Sequence, residues 1–266
     1  MAVDVRTSDG VARVTLAWRS RRNALGPSDV EELVAALSDV ARRPDVKVMV
    51  LTGDGAFCAG GDLAAIREVA RRGAAVVRDL LYSTFQELPR AMLRLPVPTI
   101  AAVDGAAVGL GMDLALMCDI RFVGPSGWLR QGWAALGIIP GTGGELLLRR
   151  LAPAALWHLL ATDPKIDAEA AHRLGLTDRA ASDDTGPAPS GRTAVAQAEE
   201  RAAELARLPS ATLEAYTYLN RADTVAALDE HLSMCLEWQT RLLTSPMFLE
   251  RADAVLMRTS NGGRHR

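Results

Sequence analysis

Cysteine is scarce. Only Cys58, Cys118 and Cys235 occur in 266 residues, and an odd number at wide spacing supports neither a disulfide framework nor a zinc site. A reducing compartment suits such cysteines, so the cytoplasm is the expected location. Long apolar runs are missing too. The longest near-apolar stretch, Val103 to Cys118, carries Asp104 and Asp113 and is short for a membrane span. The opening MAVDVRTSDG lacks the apolar run of a signal peptide. There is no excess of charge of either sign. A formal net charge of −2 gives no global field to hold nucleic acid or an anionic membrane. No repeat of solenoid length is visible. No metal-ligand motif exists, and His158, His172 and His231 are scattered without a paired acid or thiol. The expectation is therefore no metal, no nucleic acid and no membrane partner. What is present is an ordinary globular mixture. At 49% hydrophobic and 23% charged, the chain is too apolar to be wholly disordered and long enough for a large core.

The pattern along the chain alternates. VARVTLAW, Val11 to Trp18, reads as a strand, and the basic loop RSRRN follows it. Val30, Leu33, Val34, Leu37 and Val40 recur at helical spacing, with Ser28 or Asp29 available as a cap. VKVMVLTG, Val46 to Gly53, is a β-branched run ending in Gly, the mark of a buried parallel strand. A long helix is predicted over Ala74 to Arg94, stopped by Pro96 and Pro98. TIAAVDGAAVGLGMDLALMCDIRFV then repeats strand, Gly-rich loop, helix and strand. LGIIPGTGG is a third Gly-rich turn before a helix that Pro153 divides. This alternation predicts an α/β layer over residues 1–193. ASDDTGPAPSGRT, Ala181 to Thr193, reads as a loop. Residues 194–258 read as helical only, and 259–266 as a disordered tail.

Two loops carry the chemical signal: Ala59-Gly60-Gly61-Asp62 and Gly109-Leu110-Gly111-Met112-Asp113. Each follows an apolar strand and opens a helix. Free N–H groups at such starts bind anions, and two loops can aim two donors at one developing oxyanion. Either loop alone reads first as a tight strand-to-helix turn. Neither fits a dinucleotide fingerprint.

In its motifs the chain resembles the enoyl-CoA hydratase/isomerase, or crotonase, superfamily. The matching pieces are RRNAL, VLTGDGAFCAGGDL, PVPTIAAVDGAAVGLGMDLALMCDIRF, LGIIPGTGG and KIDAEAAHRLGL, in family order. The resemblance is strong from Val11 to Leu176 and loose beyond. It implies an α/β crotonase (ClpP-like) fold of repeated ββα units with a C-terminal helical region. It implies an acyl-CoA substrate, no further cofactor, and homo-trimers or hexamers. The thioester oxygen would lie between the N–H groups of Gly61 and Leu110. CoA contacts carry over to the RRNAL loop and the AGGDL turn, with Arg21 or Arg22 near phosphates and Ala24 and Ala59 near adenine. Asp62 and Leu63 complete that turn, and Val255 and Arg258 fall near the family's adenine contacts. Asp62 also reads as a helix cap.

Hydration needs a water to be positioned and a proton to be delivered, which two carboxylates do well. The resemblance carries the first to Asp113. The second falls at Trp133, whose indole only donates. Related branches place an acid at Gln131 or Gly141 instead, and neither is acidic here. One acid/base favours isomerisation or another enolate step. Trp133 and Trp128 are expected as an aromatic wall for the acyl group. The alternatives are a structural Asp113, a Trp133 that merely packs, and a protein that binds acyl-CoA with little turnover. Cys58, although beside the turn, reads as packing, and Asp119 as structural.

Overall fold

The computed structural model describes residues 2–178 and 192–262. The loop expected at 181–193 therefore lies almost wholly outside the described residues. Two strands open the chain, β1 (Val3–Ser8) and β2 (Val11–Leu16). They form a hairpin around Asp9 and Gly10, both at positive φ. β1 goes beyond the sequence reading, which began the sheet at Val11. Helix α1 (Pro27–Ala41) is capped by Gly26, not by Ser28 or Asp29. Asp29 sits at the third helical position and accepts the Gly26 N–H at 2.7 Å, with Pro27 opening the helix.

β3 (Val48–Gly53), β4 (Thr99–Val103) and β6 (Ile120–Val123) extend the hairpin into a five-stranded sheet of order β1-β2-β3-β4-β6. All pairs but the first are parallel. Parallel strands covered on both faces read as continuous apolar runs. Met49, Leu51, Ala101 and Val103 face the main core with Leu33 and Leu37 of α1. Val48, Val50, Ile100, Ala102 and Phe122 face the other way, against Ala194, Ala198 and Ala202. Those alanines lie on α10 (Ala194–Ala206), capped by Thr193. A second sheet, β5-β7-β8, is built from Ala106–Val108, Trp128–Arg130 and Ile166–Asp167.

Between β3 and β4 lie α2 (Leu63–Arg71) and a broken helical stretch: α3 (Ala74–Val76), a π-helical turn (Val77–Tyr82), α4 (Ser83–Phe85) and α5 (Glu87–Leu93). The predicted helix over Ala74 to Arg94 is thus present but widened at its middle. Further on come α6 (Leu110–Leu116), α7 (Gly144–Leu151), α8 (Leu156–Thr162) and α9 (Ala168–Arg173). Pro153 does divide α7 from α8, in a short 3-10 turn. α11 (Ser210–Leu243) and α12 (Pro246–Gly262) close the chain. The α12 backbone extends into the segment expected to be disordered, and 263–266 lie outside the described residues. No helix among the described residues is long and apolar enough to cross a membrane.

Candidate active site

The two glycine loops are pressed together. The Cys58 N–H donates to Ala106 at 2.9 Å, and the Val108 N–H donates to Cys58 at 3.0 Å. A Cβ on Gly60 would lie 2.8 Å from the Val108 carbonyl oxygen, and one on Gly111 only 2.0 Å from that of Cys58. Gly60 (φ +108°) and Gly109 (φ +54°) also occupy backbone regions that L side chains rarely enter. Leu25 bonds to Gly60 and Asp62 on either side of Gly61, so the Gly61 N–H does not serve that pairing. Among the described residues, neither the Gly61 nor the Leu110 N–H donates to a backbone carbonyl.

Gly61 and Leu110 line one small cavity with Ile66, Leu81, Tyr82, Phe85, Trp133, Ile138, Gly141, Thr142, Gln239 and Leu243. Its volume is about 30 Å³, room for a water or two. No Asp or Glu is among those wall residues. Asp113 stands directly behind Thr142 and Trp133, fully buried on the first turn of α6. The Thr142 hydroxyl donates to Asp113 Oδ2 at 2.9 Å. Burial pushes the Asp113 carboxyl up to about 7, against the pull of the Thr142 and Trp133 donors. Its other oxygen abuts the start of α7, where a Cβ on Gly144 would lie 1.9 Å from Oδ1. Gly144→Ala is therefore expected to displace the carboxyl and cost about 1–3 kcal/mol of stability. A misplacement of that size can cost roughly 10²-fold in turnover. Thermal melts and steady-state rates on one preparation measure both.

Gly141 has no side chain because the Tyr82 ring occupies the place: a Cβ there would lie 2.2 Å from Tyr82 Cε1. Burial holds the Tyr82 phenol well above 10. Gln239, from α11, clasps Ile139, donating to its carbonyl at 2.5 Å and accepting its N–H at 3.2 Å. Gln86 donates to the Gly141 carbonyl at 3.3 Å and to that of Leu232 at 2.9 Å. Thr142, Tyr82, Gln86 and Gln239 were not among the expected site residues. Thr142 lay within a recognised motif, but the glutamines carry no local signal.

The remaining expectations separate. The RRNAL loop and the AGGDL turn do meet, through Ala59 N–H to Arg22 at 3.0 Å and Leu25 N–H to Gly60 at 2.8 Å. Asn23, buried at positive φ, donates to Ala56 at 2.7 Å. Asp62 caps α2, accepting from Ala64 and Ala65. Arg21 is engaged internally, at 2.9 Å from Asp29 and 3.4 Å from Asp62. Arg19 pairs with Asp54. Arg22 is exposed, as is Arg258, just beyond the Asp253 that ties α12 to Arg67 and Arg71 of α2. Trp128 is not part of an aromatic wall with Trp133. It stands in β7 under the Lys165 ammonium, 5.0 Å from its ring centroid, and does not line the cavity. Cys58 is buried with its thiol pushed up to about 12, chiefly by burial, so it is no thiolate nucleophile. Glu145 lines a separate apolar cavity of about 430 Å³ and pairs with Arg149 at 3.0 Å. Among the described residues no cluster suited to a metal ion is present.

Two strand-to-helix loops thus bring the Gly61 and Leu110 N–H groups to one small cavity, with a buried carboxyl behind it. The enoyl-CoA hydratase/isomerase family model matches residues 6–254, and the chain belongs to that family of acyl-CoA enzymes. A probable enoyl-CoA hydratase of Rhodobacter capsulatus is 33% identical over 251 residues, 94% of this chain and 92% of that protein. One from Mycobacterium tuberculosis is 38% identical over 175 residues, 65% of this chain and 67% of its own length. The crystal structure of an enoyl-CoA hydratase from Mycobacterium avium subsp. paratuberculosis K-10 superposes with a TM-score of 0.81 at 26% identity, covering 97% of this chain and 96% of that one. The crotonase fold is thereby established.

Proposed function

We propose that this protein forms a thioester enolate from an acyl-CoA, with Asp113 as its single acid/base, and shifts a double bond or performs a related enolate step in preference to adding water. One observation carries the reading. The cavity has two uncommitted N–H groups in its wall, one carboxyl immediately behind it, and no second acid among its lining residues. An N–H aimed at a developing oxyanion is worth about 3–4 kcal/mol of barrier. A carboxyl with a pKa of about 7 is present in both forms at neutral pH, so it can remove a proton from one carbon and return it to another. Hydration would need a second group to hold water, and Trp133 at that place offers only an N–H.

The 30 Å³ cavity is far below the several hundred Å³ of a typical ligand pocket, so acyl entry displaces wall side chains. Exposed Arg22 and Arg258 are the arginines available to CoA phosphates. Ala24, Ala59 and Leu63 lie on the RRNAL loop and AGGDL turn, which meet through Arg22 and Leu25. CoA is the only cofactor moiety required, and the active unit is a homo-trimer or hexamer. A reducing cytoplasm suits the three free thiols.

Mass spectrometry after incubation of saturated, enoyl and aromatic acyl-CoAs in D₂O tests the reading. Deuterium at the α or γ carbon without addition of water is expected, and addition of water overturns the preference. Because the base form of Asp113 starts the reaction, kcat/KM is expected to fall about tenfold per pH unit below about 7. The absence of a second acid at the cavity favours one other reading, acyl-CoA binding with little turnover. Tight binding of every acyl-CoA with no exchange of deuterium would support it.

A further inference from the structure

Asp113 Oδ1, Trp133 Nε1 and Gln131 Nε2 are buried polar atoms with no hydrogen-bond partner. Such orphans are rare, because burial removes the water that would otherwise pair with them. Two of the three complement each other. The indole N–H only donates, and an ionised carboxylate oxygen only accepts. They also lie on neighbouring side chains. The Trp133 ring covers the start of α6, with Cε2 and Cζ2 each 3.6 Å from where a Gly109 Cβ would stand. The indole lies near enough to the Asp113 carboxyl to favour its charged form, although short of a hydrogen bond. We propose that Trp133 is a positioning residue for Asp113: when the carboxyl gives up its proton, the indole N–H closes onto Oδ1, and Trp133 and Thr142 then grip the carboxylate from two sides.

The chemistry explains why the pair can stand open. Thr142 already donates to Oδ2, so the acid proton belongs on Oδ1. A protonated Oδ1 is a much poorer acceptor than a carboxylate oxygen, so the indole gains little there until the proton leaves. Once the proton has gone to substrate or solvent, Oδ1 becomes an acceptor facing a ready N–H. The indole thus keeps in place a base that would otherwise be buried with one oxygen bare. The assignment rests on Asp113 being the acid/base, yet the contact itself can be observed without substrate.

Other titratable groups near Asp113 are separable. Cys58, before α2, and Cys235, on α11, are both pushed up to about 12, chiefly by burial. Tyr82, on the π-helical turn, lies well above 10. These three stay neutral through the pH range used. Glu145, on α7, pairs with Arg149 at 3.0 Å and lies 3.7 Å from His231. His231, lowered below 6.5 by burial, titrates on the acid side of Asp113.

The test is an ¹⁵N–¹H titration of the indole signals of the full chain from about pH 5.5 to 8.5. The Trp133 signal is assigned by its loss in Trp133→Phe. It is expected to move with a midpoint near 7 in the wild type and to stay still in Asp113→Asn, which retains His231. A Trp133 signal that does not titrate, or titrates equally in Asp113→Asn, overturns the proposal. In turnover, Trp133→Phe is expected to raise the acid limb of kcat/KM by about one pH unit. The position of the acid limb is the readout, because Trp133 also lines the cavity and its loss alters the wall as well. An unmoved acid limb in the folded variant also overturns the proposal. A titrating Trp133 in a protein that converts no acyl-CoA would sustain the pair and defeat only the enzyme reading.

Discussion

Asp113→Asn is expected to lower turnover about 10³-fold and, in the same variant, to raise stability at pH 8. The two effects have one origin. Asn keeps the shape of the side chain and can still accept the Thr142 hydroxyl, but it can neither take nor return a proton. The carboxyl of the wild type is raised from 3.8 to about 7 because burial disfavours its charge. A raised acid binds its proton more tightly in the folded state. Its contribution to folding is therefore fully present below the unfolded value and is lost as pH climbs through about 7. At roughly 1.4 kcal/mol per unit, a shift of about three units makes the ionised carboxyl a burden of about 4 kcal/mol in alkaline solution. Melting temperatures of wild type and Asp113→Asn should hence converge near pH 4 and diverge by pH 8, the variant melting higher. Acyl-CoA affinity should be unchanged, because the Gly61 and Leu110 N–H groups remain. A purely structural Asp113 predicts the same stability difference with turnover retained in the folded fraction.

The sequence was legible wherever local chemistry decided the structure. The run Val48 to Leu51 could only be a strand covered on both faces, and it is. The glycines at 60, 109 and 111 announced close backbone approaches before their partners were known. Within the fold each is explained by one neighbouring carbonyl or one positive φ. β1 was readable as well, from the alternation of Val3, Val5 and Thr7 before an Asp-Gly turn. Contacts between distant segments were not readable. Nothing near Gln239 says that it clasps Ile139, one hundred positions away. The π-helical turn over Val77–Tyr82 has no marker in VRDLLY. It turns Tyr82 onto Gly141, at a position where relatives' acids had suggested chemistry. Trp128 and Trp133 look equivalent in sequence, yet a strand carries one away from the cavity and a 3-10 turn brings the other to it.

Arg221→Met is expected to cost about 3–5 kcal/mol of stability while leaving turnover per folded molecule intact. Arg221 is buried on α11 and joins that helix to the α/β layer. Its Nη1 donates to the Leu95 carbonyl at 2.8 Å. Its Nη2 donates to Val97 at 3.2 Å and to the Thr99 hydroxyl at 3.1 Å. Nε and Nη2 both reach Asp119, whose carboxylate also accepts the Thr99 N–H at 2.8 Å. Burial pushes the Asp119 carboxyl up, but Arg221 and Thr99 together hold it below the usual range. Met fills much the same volume and satisfies none of these groups, so a nearly buried carboxylate loses its cation and a row of carbonyls loses its donor. The double variant Asp119→Asn/Arg221→Met should recover part of the loss, since no unpaired charge remains. A depressed carboxyl stabilises above its unfolded pKa and ceases to do so as pH falls through the folded one. The gap between wild type and Arg221→Met should therefore be full at pH 7 and narrow in strong acid. Neither residue lines the 30 Å³ cavity. A large fall in kcat for folded Arg221→Met would instead mean that α11, through Gln239 and Leu243, holds the cavity wall only while this pair anchors the helix.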